Sequence, residues 1–160
     1  MVAMATITPE RIAAGRRRRS RATLLVGPGV PSDRLADALA ALWGPASPAS
    51  VHVVAIDGSR PLWSTWAEWD LCLVGGVWDL YQDSWRCQQR TRLERLADLE
   101  RGLAPVAPSA TFETFVGPLR AALLQAPARW PGSTLVIAGP WRRLPWRRGP
   151  WPGEIELLSV

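Results

Sequence analysis

The chain has 160 residues, 48% of them apolar, enough for one ordinary domain with a real core and too many for a wholly disordered protein. No apolar run approaches the roughly 18 residues of a membrane-spanning helix, and the first basic cluster lacks the sustained apolar stretch of a secretory signal behind it. Two cysteines and one histidine are too few for a disulfide framework or a His/Cys metal site, so a reducing, cytoplasmic setting without metal or cofactor is expected.

Thr8-Pro9-Glu10 carries the marks of a helix start, and a short helix is expected to end near Gly15. Basic residues follow from Arg16 to Arg21. Thr23–Val26 is an apolar strand candidate closed by Gly27-Pro28-Gly29. Pro31-Ser32-Asp33 then opens a helix with Leu35, Ala38, Leu39 and Leu42 on one face, and Gly44–Ser50 is a loop. Val51–Ile56 is a second strand, ended by Asp57-Gly58. Trp63, Trp66 and Trp69 suit a short helix laid over a sheet, and Leu71–Val74 is a third strand candidate.

Residues 83–101 read as the longest polar helix, with Leu93, Leu96, Leu99 and Trp85 as its packing stripe. Glu94 and Asp98 lie at helical spacings from Arg90 and Arg101. Phe112, Phe115, Leu119 and Leu123 fall three, four and four apart, which predicts a helix over Thr111–Gln125 that Gly117-Pro118 kinks or divides. Thr134–Ala138 is a fourth strand, and Glu154–Val160 alternates as a fifth.

This order predicts a single three-layer α/β domain with a mostly parallel open sheet of about five strands. The final strand is expected to be an antiparallel edge. The strands are short and almost continuously apolar, as both-face burial requires. The strand–Gly-Pro-Gly–helix opening resembles a Rossmann-like or RecA-like core in outline, though neither phosphate-binding motif is present. Residues 1–21 are expected to form a short helix and basic segment, 22–140 the core, and 141–160 an arm and edge strand packed on it.

The net charge of +5 is unevenly distributed. Residues 1–21 hold six Arg and one Glu, 141–148 four Arg and no acid, and 22–140 nine Arg against eleven acids. The body is therefore slightly acidic, and basicity sits in two flanking segments. Every basic residue is Arg, which together with abundant Ala, Pro, Gly and Trp reflects coding bias and weakens Arg richness as a sign of phosphate recognition.

Four groups of residues are candidates for chemistry. Gly27, Gly29 and Ser32, with Arg16, Arg17, Arg18 and Arg19, form a candidate anion site at a strand–helix junction. Against it, Pro28 and Pro31 remove two amide donors and Asp33 repels phosphate, so a plain turn and a Ser/Asp helix cap is the simpler reading. Asp57 and Ser59 are candidate ligand groups at a strand end, and Asp70, Asp79 and Asp83 are acids that a divalent ion would need nearby. His52 and Cys72 lie in strand candidates and read as interior groups rather than a base and a nucleophile; Cys87 falls on a helix.

The clearest pattern is Trp141-Arg142-Arg143-Leu144-Pro145, repeated as Trp146-Arg147-Arg148-Gly149-Pro150 before Trp151. Proline every fifth residue precludes an ordinary helix and predicts an extended arm. Such an arm suits protein recognition through aromatic anchors and Arg, base stacking with phosphate contact, or cover for its own domain. The expected function is therefore a non-enzymatic accessory or scaffold domain that binds a protein partner or itself through Trp141, Arg142, Arg143, Trp146, Arg147, Arg148 and Trp151. One alternative is a nucleotide- or nucleic-acid-binding protein using the Gly27–Gly29 turn and the Arg segments. Another is a small hydrolase or transferase with a carboxylate site at Asp57.

Overall fold

A computed structural model describes residues 21–44, 47–58, 77–139 and 155–160. In chain order the elements are β1 (Arg21–Val26), α1 (Ser32–Trp43), β2 (Ser50–Asp57), α2 (Val77–Leu103), β3 (Thr111–Val116), α3 (Leu119–Arg129), β4 (Thr134–Gly139) and β5 (Ile155–Ser159). The described strands form one sheet in the order β3-β2-β1-β4-β5, and every pairing in it is parallel. This is a three-layer α/β domain of Rossmann-like topology.

Strand burial explains the composition of the strands. In β1, Ala22, Leu24 and Val26 face α1 and α2, where they meet Leu35, Leu39, Trp43, Leu99 and Leu103. Leu25 faces the other way, joining Val54, Ile56, Phe115, Leu135 and Ile137 under Leu119, Ala122, Leu123 and Ala126 of α3. A strand covered on both sides has no solvent face to mark with polar residues, so its sequence is a continuous apolar run. Each fully buried leucine contributes about 1.5–3 kcal/mol.

The placement of helices follows from the handedness of parallel connections. The chain steps from β1 to β2 to β3 in one direction, then crosses back to β4. Right-handed crossovers require the helices of the outward steps on one face and that of the return step on the other. The two core clusters have this division. Reversal of direction leaves a switch point between β1 and β4 at the carboxyl edge of the sheet.

Several expectations need correction. Thr111–Val116 is a strand, not the start of a helix. Phe112 packs toward α1 and α2 and Phe115 toward α3, so their spacing records opposite faces of a pleat rather than one side of a helix. Gly117, at φ 141°, and Pro118 break the chain between β3 and α3. A Cβ at Gly117 would stand 3.1 Å from the Phe115 ring, and its own amide donates to Asp57 O at 2.8 Å. The expected strand at Leu71–Val74 and the Trp63–Trp69 helix lie outside the described residues.

The final strand is parallel to β4, not antiparallel. Alternation alone does not encode strand direction, and a parallel neighbour demands a crossover. Residues 140–154 therefore connect the carboxyl end of β4 to the amino end of β5. On α2 the packing stripe is Leu96, Leu99 and Leu103; Trp85 (49% exposed) and Leu93 (66%) face solvent.

Candidate functional site

The carboxyl edge of the sheet gathers the turn after β1, the ends of β2 and β4, and one flank of α2. The turn begins with Gly27, whose amide donates to Ala138 O at 2.9 Å and ties the ends of β1 and β4 together. Gly29, at φ 74°, turns the chain toward α1. Pro31 occupies the cap position of that helix in an extended conformation, and no side chain caps its first turn. The expected Ser/Asp cap is thus a proline start, with Ser32 and Asp33 already inside the helix.

The turn is a poor phosphate cradle by its own chemistry. Gly27 N–H is committed to Ala138, while Pro28 and Pro31 have none to offer. That leaves Gly29 and Val30 as donors in the turn itself. Ser32 is half-buried where α1 crosses α2; a Cβ built on Gly102 would fall 2.5 Å from Ser32 Cβ. Glycine at 102 allows this close helix contact.

Two arginines three residues apart on α2 lace this edge. Arg92 Nε donates to Asp57 Oδ2 at 2.6 Å, with side chains only 15% and 24% exposed. Arg95 Nη2 donates to Val30 O at 2.6 Å, and its Nη1 lies 3.8 Å from Asp98 Oδ2. The candidate ligand group Asp57 is therefore engaged in a half-buried ion pair that fastens the end of β2 to the long helix. Residues 77–91 precede this contact, about 22 Å of helix at 1.5 Å per residue. Asp83 pairs with Arg86 there at 3.3 Å, and Arg90 reaches Glu94, beyond that stretch, at 3.0 Å, all on exposed surface.

The other candidates are spread apart or lie outside the described residues. His52 is near the amino end of β2, five residues and about 17 Å from Asp57. It is half-buried rather than interior. Cys87 is an exposed thiol on α2. Arg21, into which the basic run leads, begins β1 at the edge opposite Gly27. Arg16 through Arg19, Ser59, Asp70, Cys72 and the whole of Trp141–Trp151 fall outside the described residues. Among the described residues no group of three or more His, Cys, Asp or Glu is arranged to hold a metal ion, and no helix is long and apolar enough to cross a membrane.

Arg92 and Arg95 did not stand out in the sequence, where only Arg90 and Arg101 of this helix were matched with acids. The spacing of Arg92 and Arg95 puts them on one side of α2, but only the position of that helix over the strand ends assigns them partners. No family model and no curated protein sequence matches the chain. Fold and site together define an α/β domain without an obvious catalytic cluster among its described residues.

Proposed function

We infer that this is a non-enzymatic accessory or scaffold domain that binds a protein partner, or a second copy of itself, at the carboxyl edge of its sheet. The observation that carries the reading is where the chain leaves that edge. Residues 58–76 depart from β2 and residues 140–154 from β4, the two strands flanking β1. At about 4.8 Å per strand their roots are roughly 10 Å apart. Six of the ten tryptophans belong to these two connections: Trp63, Trp66, Trp69, Trp141, Trp146 and Trp151.

Open α/β sheets bind their ligands beyond the carboxyl ends of the strands. Aromatic residues interleaved with Arg are the composition of interface hot spots. The acid best placed for chemistry there, Asp57, is held by Arg92, which favours a braced docking edge over a carboxylate-based active site. In this reading Trp141, Trp146 and Trp151 are the anchors, and Arg142, Arg143, Arg147 and Arg148 meet an acidic surface.

The test compares the full chain with a Trp141→Ala, Trp146→Ala, Trp151→Ala variant. Acrylamide quenching should show indoles accessible in the free chain, and light scattering or partner titration should show association that the variant loses while its thermal transition stays in place. A monomer whose three indoles are all shielded from quencher would overturn the reading.

A further inference from the structure

The amino edge of the sheet, opposite the candidate site, carries a second polar cluster. On the face beneath α3, the row of residues nearest the amino edge is polar across β1, β2 and β3, and Glu113 adds a carboxylate in the next row of β3. Thr23 on β1 stands opposite His52 on β2, which stands opposite Thr111 on β3. The row continues into the turn before β4: Thr23 donates to Ser133 Oγ at 3.0 Å, and Ser133 donates to Trp130 O at 2.8 Å. Thr111 Oγ1 is 2.5 Å from His52 Nδ1. His52 Nε2 lies 3.2 Å from Glu113 Oε1 without the alignment of a hydrogen bond, so both buried atoms lack a hydrogen-bond partner among the described residues.

Arg129 roofs this row from the last turn of α3. Its guanidinium lies 5.8 Å from the Phe115 ring centre and 5.6 Å from that of Trp130, and its Nη2 is 3.3 Å from Glu113 Oε2. Trp130 in turn packs on His52 at 5.9 Å between ring centres. Between these groups and the start of β1 opens a cavity of about 200 Å³ lined by Arg21, Ser50, His52, Arg129, Trp130 and Ser133, among others.

We propose that this cavity binds the phosphate group of a small molecule, with Arg21 and Arg129 supplying the charge and Ser50 a hydroxyl donor. Among the described residues Arg21 makes no ion pair. Arg129 spends one of its five N–H groups on Glu113, which leaves a forked donor for a planar or tetrahedral oxyanion. Thr23 and Ser133 both donate inward, so they order the wall rather than meet the ligand.

The carboxyl end of α3 carries partial negative charge that opposes an anion. Arg129 in that turn offsets it, and Ser133 satisfies the Trp130 carbonyl. Sites for drug-sized ligands enclose about 300–1,000 Å³, whereas this recess, half open to solvent, offers about 200 Å³, room for a single phosphate head.

The proposal is tested by titrating the full chain with inorganic phosphate and, separately, with a 5′-mononucleotide, following backbone amides by NMR. Saturable shifts are expected at Ser50, His52 and Ser133, with none at Gly29 on the opposite edge. Tighter binding of the nucleotide assigns a phosphate monoester, and equal binding assigns the free anion. Arg21→Gln and Arg129→Gln should each weaken binding about tenfold, while Arg86→Gln on exposed α2 leaves it unchanged. Arg21 begins an edge-exposed strand end, so its variant keeps the test valid if loss of the Arg129–Glu113 contact destabilises the fold. Absence of saturation by millimolar phosphate and mononucleotide alike, or equal weakening by Arg86→Gln, overturns the proposal.

Discussion

Asp57 and Arg92 show how residue context decides a role. An aspartate at a strand's carboxyl end is a common place for chemistry, yet here its carboxylate accepts at 2.6 Å from a guanidinium only 15% exposed. Breaking this half-buried ion pair costs about 2 kcal/mol. Asp57→Ala and Arg92→Met should therefore each destabilise the domain in urea titrations, and the double variant should lose less than the sum. Strict additivity would mean that the two act independently. The exposed Arg90–Glu94 pair is a useful contrast, because breaking it should change stability by a few tenths of a kcal/mol at most. His52 illustrates the same point: its strand position was legible, but the half-exposed cluster around it depends on Thr111, Glu113 and Trp130, brought from other elements.

At the scale of elements, α1 and α2 meet through an approach that only glycine permits. Ser32 faces Gly102 so closely that an added methyl would overlap its Cβ. Helix propensity alone favours Gly102→Ala by about 1 kcal/mol, whereas overpacking costs about 1–3 kcal/mol. The clash should win, so Gly102→Ala is expected to lower the thermal midpoint. Adding Ser32→Gly removes the overlapping atoms and should restore most of the loss. A Gly102→Ala variant more stable than the parent would show that the helices separate freely. The same scale explains the misread third strand. Helical spacing in Phe112, Phe115, Leu119 and Leu123 arises because an edge strand that turns Phe112 to one face and Phe115 to the other adjoins a helix buried on one side. Gly117-Pro118 was the visible signal of the junction.

Across the whole molecule, stability should fall from the centre of the sheet outward. β1 is flanked by β2 and β4 and covered by helices on both faces, while residues 82–91 of α2 are exposed or half-buried and paired mainly with one another. Hydrogen exchange should accordingly be slowest in β1, β2 and β4 and much faster in the first half of α2 and in β5. Equal protection along all of α2 would require a partner packed on its outer half. Two opposed edges then carry different prospects: the carboxyl edge, where both Trp-rich connections root, and the amino edge, where Arg21 and Arg129 line one recess.

By itself the sequence determined the layer class, because unbroken apolar strands between amphipathic helices have a stable arrangement only as a parallel sheet covered on both faces. It also located β1, β2 and β4, α1 and the core half of α2 closely, since their periodicity and glycine or proline boundaries are local signals. Strand direction at β5, the identity of β3, and the partners of Asp57, His52 and the arginines were decided only by tertiary structure. Those features depend on which distant segments lie side by side, and residue spacing within one segment does not record it.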